Sequence, residues 1–152
     1  MKGRSRCARA LGALVVLGLV AGCAGSSRTD EDYRRKAANT AEAAASAVNT
    51  ALLGVRAAGK DRVTGPYISV LLGEAESDLL AVQSTFETRQ PPSAKADAVR
   101  DRLGRVLTDA ADALADVRIA ARRGAVRSLP ETAEALPAVA KRLESLEREL
   151  SS

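Results

Sequence analysis

The chain holds no histidine and only two cysteines, Cys7 and Cys23. That inventory narrows the chemistry at once. Ser-His-Asp and Cys-His nucleophile systems need an imidazole, as do the Glu-x-x-His pairs of di-iron bundles. Zinc sites usually draw on histidine or cysteine. Carboxylates remain. Asp109, Asp112 and Asp116 stand three and four residues apart, so a helix would set them on one face, where a hard cation that prefers oxygen could bind. A regular helix offers such a cation no loop carbonyls, and the same residues fit a solvated stripe beside Ala110, Leu114 and Val117. Glu74, Glu76 and Asp78 read as the exposed side of another helix, with Glu74 and Asp78 repelling mildly. No glycine-rich phosphate loop follows a strand, because no run alternates as a strand would. The residues assign no catalytic site, no metal site and no cofactor, and the expectation is a protein that is not an enzyme.

Cys23 is the one reactive group in a distinctive setting. Lys2, Arg4, Arg6 and Arg9 open the chain, with no acidic residue before Asp30. An apolar core, Leu11 to Ala21, follows and ends in small residues. A basic start, a short apolar core and a small-residue end have the layout of a secretory signal. The core is about half the roughly 20 residues that a membrane-spanning helix needs. Val20-Ala21-Gly22-Cys23 resembles the lipobox of bacterial lipoproteins: an aliphatic residue, two small residues and a cysteine. The resemblance is confined to this segment. It implies that the Cys23 thiol is joined to diacylglycerol and that signal peptidase II cuts before it. Residues 1–22 are then a signal peptide, 23–29 a polar tether and 30–152 the folded domain, anchored to the extracytoplasmic face of the cell membrane. The rival reading is an ordinary secretory signal cut just beyond Cys23.

Removal of the signal changes the charge balance. The whole chain carries 23 Lys and Arg against 19 Asp and Glu, a formal net charge of +4. Four of those basic residues precede Cys23, so the mature chain is formally neutral. The simplest argument for a nucleic-acid partner disappears with them. With Cys23 the only cysteine left, no internal disulfide framework is possible.

Alanine is the commonest residue, and aromatic residues make up 2% of the chain. Alanine, leucine, arginine and glutamate favour helix. The spacing predicts four helices. The first opens at a Thr29–Asp32 capping box and carries Tyr33, Ala37, Ala41, Ala44, Val48, Leu52 and Val55 on one stripe, ending near Gly59. The second starts at Pro66, shows Ile68, Leu71, Leu72, Ala75, Leu79, Val82 and Phe86, and stops before Pro91-Pro92. The third follows a Ser93 cap with Ala96, Val99, Leu103, Val106, Ala110, Leu114, Val117 and Ala121, and closes at Gly124. The fourth opens at a Ser128–Glu131 capping box and carries Ala133, Leu136, Ala140, Leu143, Leu146 and Leu150; Pro137 should kink it or split off its first turn. One stripe per helix and short connections predict an all-α, up-down-up-down four-helix bundle. A pair of long hairpins completed by dimerisation is the alternative, so the oligomeric state stays open.

That topology would gather Arg56, Lys60 and Arg62 with Arg118, Arg122, Arg123 and Arg127 at the pole remote from the tether. Such a pole could attract an anionic wall polymer or an acidic envelope protein. Cations at helix C-termini also complement the macrodipole without any partner. Arg34, Arg35 and Lys36, beside the anchor, could touch anionic headgroups. The expected function is a membrane-anchored, non-enzymatic structural or interaction module of the cell envelope. The alternative is a ligand-binding or sensing bundle whose kinked fourth helix lines a small apolar cavity.

Overall fold

The computed structural model describes residues 29–152. The signal, Cys23 and most of the tether lie outside the described residues. Within them the chain is all-helical: α1 (Asp30–Ala58), α2 (Gly65–Glu87), α3 (Ala94–Arg122), the short α4 (Leu129–Thr132) and α5 (Leu136–Ser151), with a 3-10 turn at Val126–Ser128. No described helix is long and apolar enough to cross a membrane.

The helix ends follow local chemistry. Thr29 Oγ1 accepts the Asp32 amide at 3.1 Å, and Ser93 Oγ accepts the Ala96 amide at 3.2 Å. Each bond satisfies one of the amides that a first turn leaves without a helical acceptor. Pro66 sits in the first turn of α2, where no amide is needed. After α1 the chain reverses through Asp61, which adopts a left-handed conformation at φ 53°, a geometry that aspartate tolerates better than most residues. Gly124, at φ 77°, ends the α3 region in the same way.

The fourth helical segment departs from expectation at its start. Ser128 does not cap a helix; its hydroxyl donates to the Ala125 carbonyl at 3.1 Å. Only one short turn, α4, forms there, and the chain then restarts as α5 from Ala135. Pro137 occupies the first turn of α5, where its missing amide costs nothing, so it splits the segment instead of kinking a continuous helix.

Contacts between helices set their directions. The Tyr33 and Phe86 rings meet at 5.8 Å, so the start of α1 lies by the end of α2. Arg118 pairs with Glu76, and Arg100 donates to the Glu87 carbonyl at 3.3 Å, running α2 and α3 in opposite directions. Arg142–Asp109 at 2.6 Å and Arg102–Glu149 at 2.6 Å do the same for α3 and α5. Ser93 Oγ donates to Asp30 Oδ1 at 2.6 Å, which fixes the starts of α1 and α3 together. One end, the near pole, therefore holds the starts of α1 and α3 and the ends of α2 and α5. The far pole holds the opposite ends and α4.

The expected stripes line the core. Every residue of the first-helix stripe is buried; on α2, Leu71 and Val82 are half-buried, as is Val99 on α3. Burial is divided unequally by size. Most of what α1 contributes is alanine, from Ala37 to Ala58, whereas Leu103, Leu107, Leu114, Leu136 and Leu143 fill the space opposite. Small residues let α1 approach its neighbours closely. A methyl group built on Gly54 would overlap the end of Leu71 and fall 2.8 Å from Ile68 Cδ1, so a side chain here would force those two side-chain ends to shift.

Candidate functional site

Among the described residues, no group of three or more His, Cys, Asp or Glu side chains converges to hold a metal. Asp109 is bound to Arg142, at 2.6 Å, and Asp112 and Asp116 are exposed. The grooves on the surface are lined mainly by exposed and half-buried side chains. One of about 330 Å³ runs between α1 and α2 past Thr40, Ala43, Ala81, Val82 and Thr85. Another, of about 680 Å³, crosses α3 at Gly104 between Phe86 and Arg142. Pro137 is exposed and lines neither.

The far pole is the most strongly patterned surface. Arg56 stands in the last turn of α1, and Lys60 and Arg62 in the turn that follows. Arg122 ends α3, Arg123 caps it, and Arg127 sits in the 3-10 turn. Two small-residue contacts bring these segments together: Gly59 lies beside Pro130, and Gly65 beside Val126. A side chain at Gly59 would crowd Pro130 Cγ at 3.2 Å. All six cations are exposed, and none makes an ion pair or side-chain hydrogen bond among the described residues.

Arg118 is different. Its side chain is 22% exposed, and its Nε forms an ion pair with Glu76, itself 15% exposed, without the alignment of a good hydrogen bond. Arg118 braces α3 against α2 and offers little to a partner. The acidic complement of the pole extends beyond Asp61 and Asp116, which stand near its cations in the sequence. Because α4 folds back onto the α1–α2 turn, the exposed carboxylates of Glu131 and Glu134 accompany it. The pole remains basic, less so than a count along α1 and α3 alone implies.

The near pole has the opposite character. Asp32 binds Arg35 and Lys36, each at 2.6 Å, and Arg34 donates to the Glu149 carbonyl at 3.3 Å. Arg102 grips both oxygens of Glu149. That hydrogen-bonded guanidinium holds the Glu149 carboxyl below its ordinary range, and the Glu149 carboxylate raises the Arg102 pKa in turn. Tyr33 is fully buried, and burial pushes its hydroxyl upward.

Comparison with protein-family models, curated proteins and solved structures gives no match, so the reading of function rests on the residues themselves.

Sequence reasoning missed Leu107, Leu129 and Val139, all buried. Leu107 and Val139 were within reach, since each stands three or four residues from a stripe position. Leu129 precedes a proline in a turn, where no helical period could expose its role.

Proposed function

We propose that this protein is a non-enzymatic bacterial lipoprotein: an up-down-up-down four-helix bundle tethered through diacylglycerol on Cys23 to the outer face of the cell membrane, acting by contact with an anionic component of the envelope. The lipobox-like Val20-Ala21-Gly22-Cys23 supports the address. The capped start of α1 at Thr29 is consistent with it, because this cap stands six residues after Cys23 in the sequence.

The observation that carries the contact role is the set of six unpaired cations at the far pole. Cations that merely balance helix dipoles need no clustering across separate turns, yet Lys60, Arg62, Arg123 and Arg127 stand outside the last helical turns and are gathered there by the Gly59–Pro130 and Gly65–Val126 contacts. A fixed patch of one sign raises the local concentration of an oppositely charged partner. The sensing alternative asked for a small apolar cavity between the helices, lined by a kinked fourth helix; the α1–α2 groove of about 330 Å³ has the size but takes no residue from that segment.

Two measurements test this. Cys23→Ser should move the protein from the membrane to the soluble fraction; unchanged membrane association removes the anchor. Reversal of Arg122, Arg123 and Arg127 to glutamate should abolish retention on purified anionic cell-wall polymer without unfolding the helices. Equal retention removes the pole as the contact surface for that polymer.

A further inference from the structure

The far-pole cations do not stand alone. Leu53 on α1 is 65% exposed, and Tyr67 and Val70 on α2 are 55% and 64% exposed. These are three of the most exposed large apolar side chains of the described fold. They lie at one level, because Gly54 is set against Ile68 and Leu71. Arg56 stands in the last turn of α1, and Lys60 and Arg62 in the turn that joins the same two helices. Glu74 bounds the patch on α2. Along α1 between Lys36 and Arg56, the exposed Asn39, Ala43, Ser46, Thr50 and Leu53 carry no charge, and Glu42 is the one charged side chain in that stretch.

We propose that the α1–α2 end of this pole is a second membrane contact, in which Arg56, Lys60 and Arg62 meet anionic lipid headgroups while Leu53, Tyr67 and Val70 enter the interface. The proposal rests on the anchored reading above and deepens it by naming the bilayer as the partner of the α1–α2 cations, Arg56, Lys60 and Arg62. Two arguments favour a bilayer over a soluble polymer. A sugar-phosphate chain gives leucine and valine nothing to bury against, whereas a bilayer offers phosphate and hydrocarbon within about 5–10 Å of each other, and tyrosine favours that boundary. The dimensions also fit. Residues 24–29 reach at most about 20 Å, while α1, with 29 residues, is about 43 Å long. A body lying along the membrane keeps both ends in reach and turns the nearly uncharged strip of α1 toward the lipid. An upright body would hold the exposed apolar residues in water.

The chain has no tryptophan, so Tyr67→Trp supplies a single reporter in the full-length lipidated protein. The probe vesicles are phosphatidylcholine with bromines on the acyl chains, with and without phosphatidylglycerol. In mixed vesicles the reporter should be quenched. Quenching should fall about tenfold or more when Arg56, Lys60 and Arg62 become glutamate, and should weaken with salt. Leu53→Ser with Val70→Ser, both at exposed sites, should reduce it without shifting the melting temperature. An unquenched reporter in mixed vesicles overturns the proposal. So does quenching indifferent to both sets of substitutions, or capture of the cations by soluble polyphosphate with no quenching at the vesicle. Flotation on pure phosphatidylcholine judges the anchor separately. A chain that fails to float there has no anchor, and the patch then stands only if the same chain floats with phosphatidylglycerol in a salt-sensitive way.

Discussion

The two poles of this protein use the same residue types for opposite ends. At the near pole five cations are consumed internally, Arg35 and Lys36 by Asp32, Arg102 by Glu149, and Arg34 and Arg100 by backbone carbonyls, while Lys95 makes no ion pair or side-chain hydrogen bond among the described residues. Its two buried aromatics, Tyr33 and Phe86, meet each other, and Ser93 bonds Asp30 across the helix starts. At the far pole the cations are unpaired and the closure is made by Gly59 against Pro130 and by the buried Leu129. One end is built to hold the helices together; the other is left with charge facing outward. Composition alone could not separate them, because arginine content says nothing about which carboxylates are within reach.

That contrast can be broken most sharply at the near pole. Phe86→Ala should cost about 3–5 kcal/mol, through lost burial and the cavity left beside Tyr33; chemical denaturation measures it, and a loss below 1 kcal/mol or so would mean the aromatic pair is not what closes this end. Ser93→Ala should cost about 1 kcal/mol, since it removes both the Ala96 amide cap and the bond to Asp30. Tyr33→Phe should move the other way. The buried hydroxyl finds no partner among the described residues, so its removal should leave stability unchanged or raise it by up to about 1 kcal/mol.

At the far pole the expected balance is inverted. Neutralising Arg56 and Arg122 to glutamine should cost only a few tenths of a kcal/mol each, the contribution of a cation at an exposed helix C-terminus. A stability loss as large as that of Ser93→Ala would show that these cations hold the fold together. The smallest effect belongs to the Arg102–Glu149 pair on the surface. The folded carboxyl of Glu149 titrates below its unfolded value, so its contribution is present above the unfolded pKa and is lost as pH falls through the folded one. Arg102→Ala should return the Glu149 titration, followed by carboxyl NMR, to the ordinary range; an unmoved midpoint would show that the pair does not form in solution.

Much of the fold was legible because helix periodicity and end signals are local. The Tyr33–Val55 stripe, the caps at Thr29 and Ser93 and the Pro66 start each depend on residues within a few positions. The Ser128–Glu131 signal misled because the same local pattern suits a turn, and Pro137 one turn later favoured a fresh helix start. The candidate pole was legible as a group of cations but not as a surface. Arg118 could not be removed from it without knowing that Glu76 stands opposite, and Glu131 and Glu134 could not be added without knowing that α4 folds back.

By itself the sequence determined which segments become helix, which face of each is buried, and which chemistries are closed to a chain without histidine. These follow from side-chain type and from spacing along one helix. Only the tertiary structure decided which cations are paired, that Gly54 packs against Ile68 and Leu71, and that Leu53, Tyr67 and Val70 stay exposed beside the cationic turn. Those outcomes depend on what the neighbouring helix presents across a few ångströms, and no periodicity within a single helix encodes that.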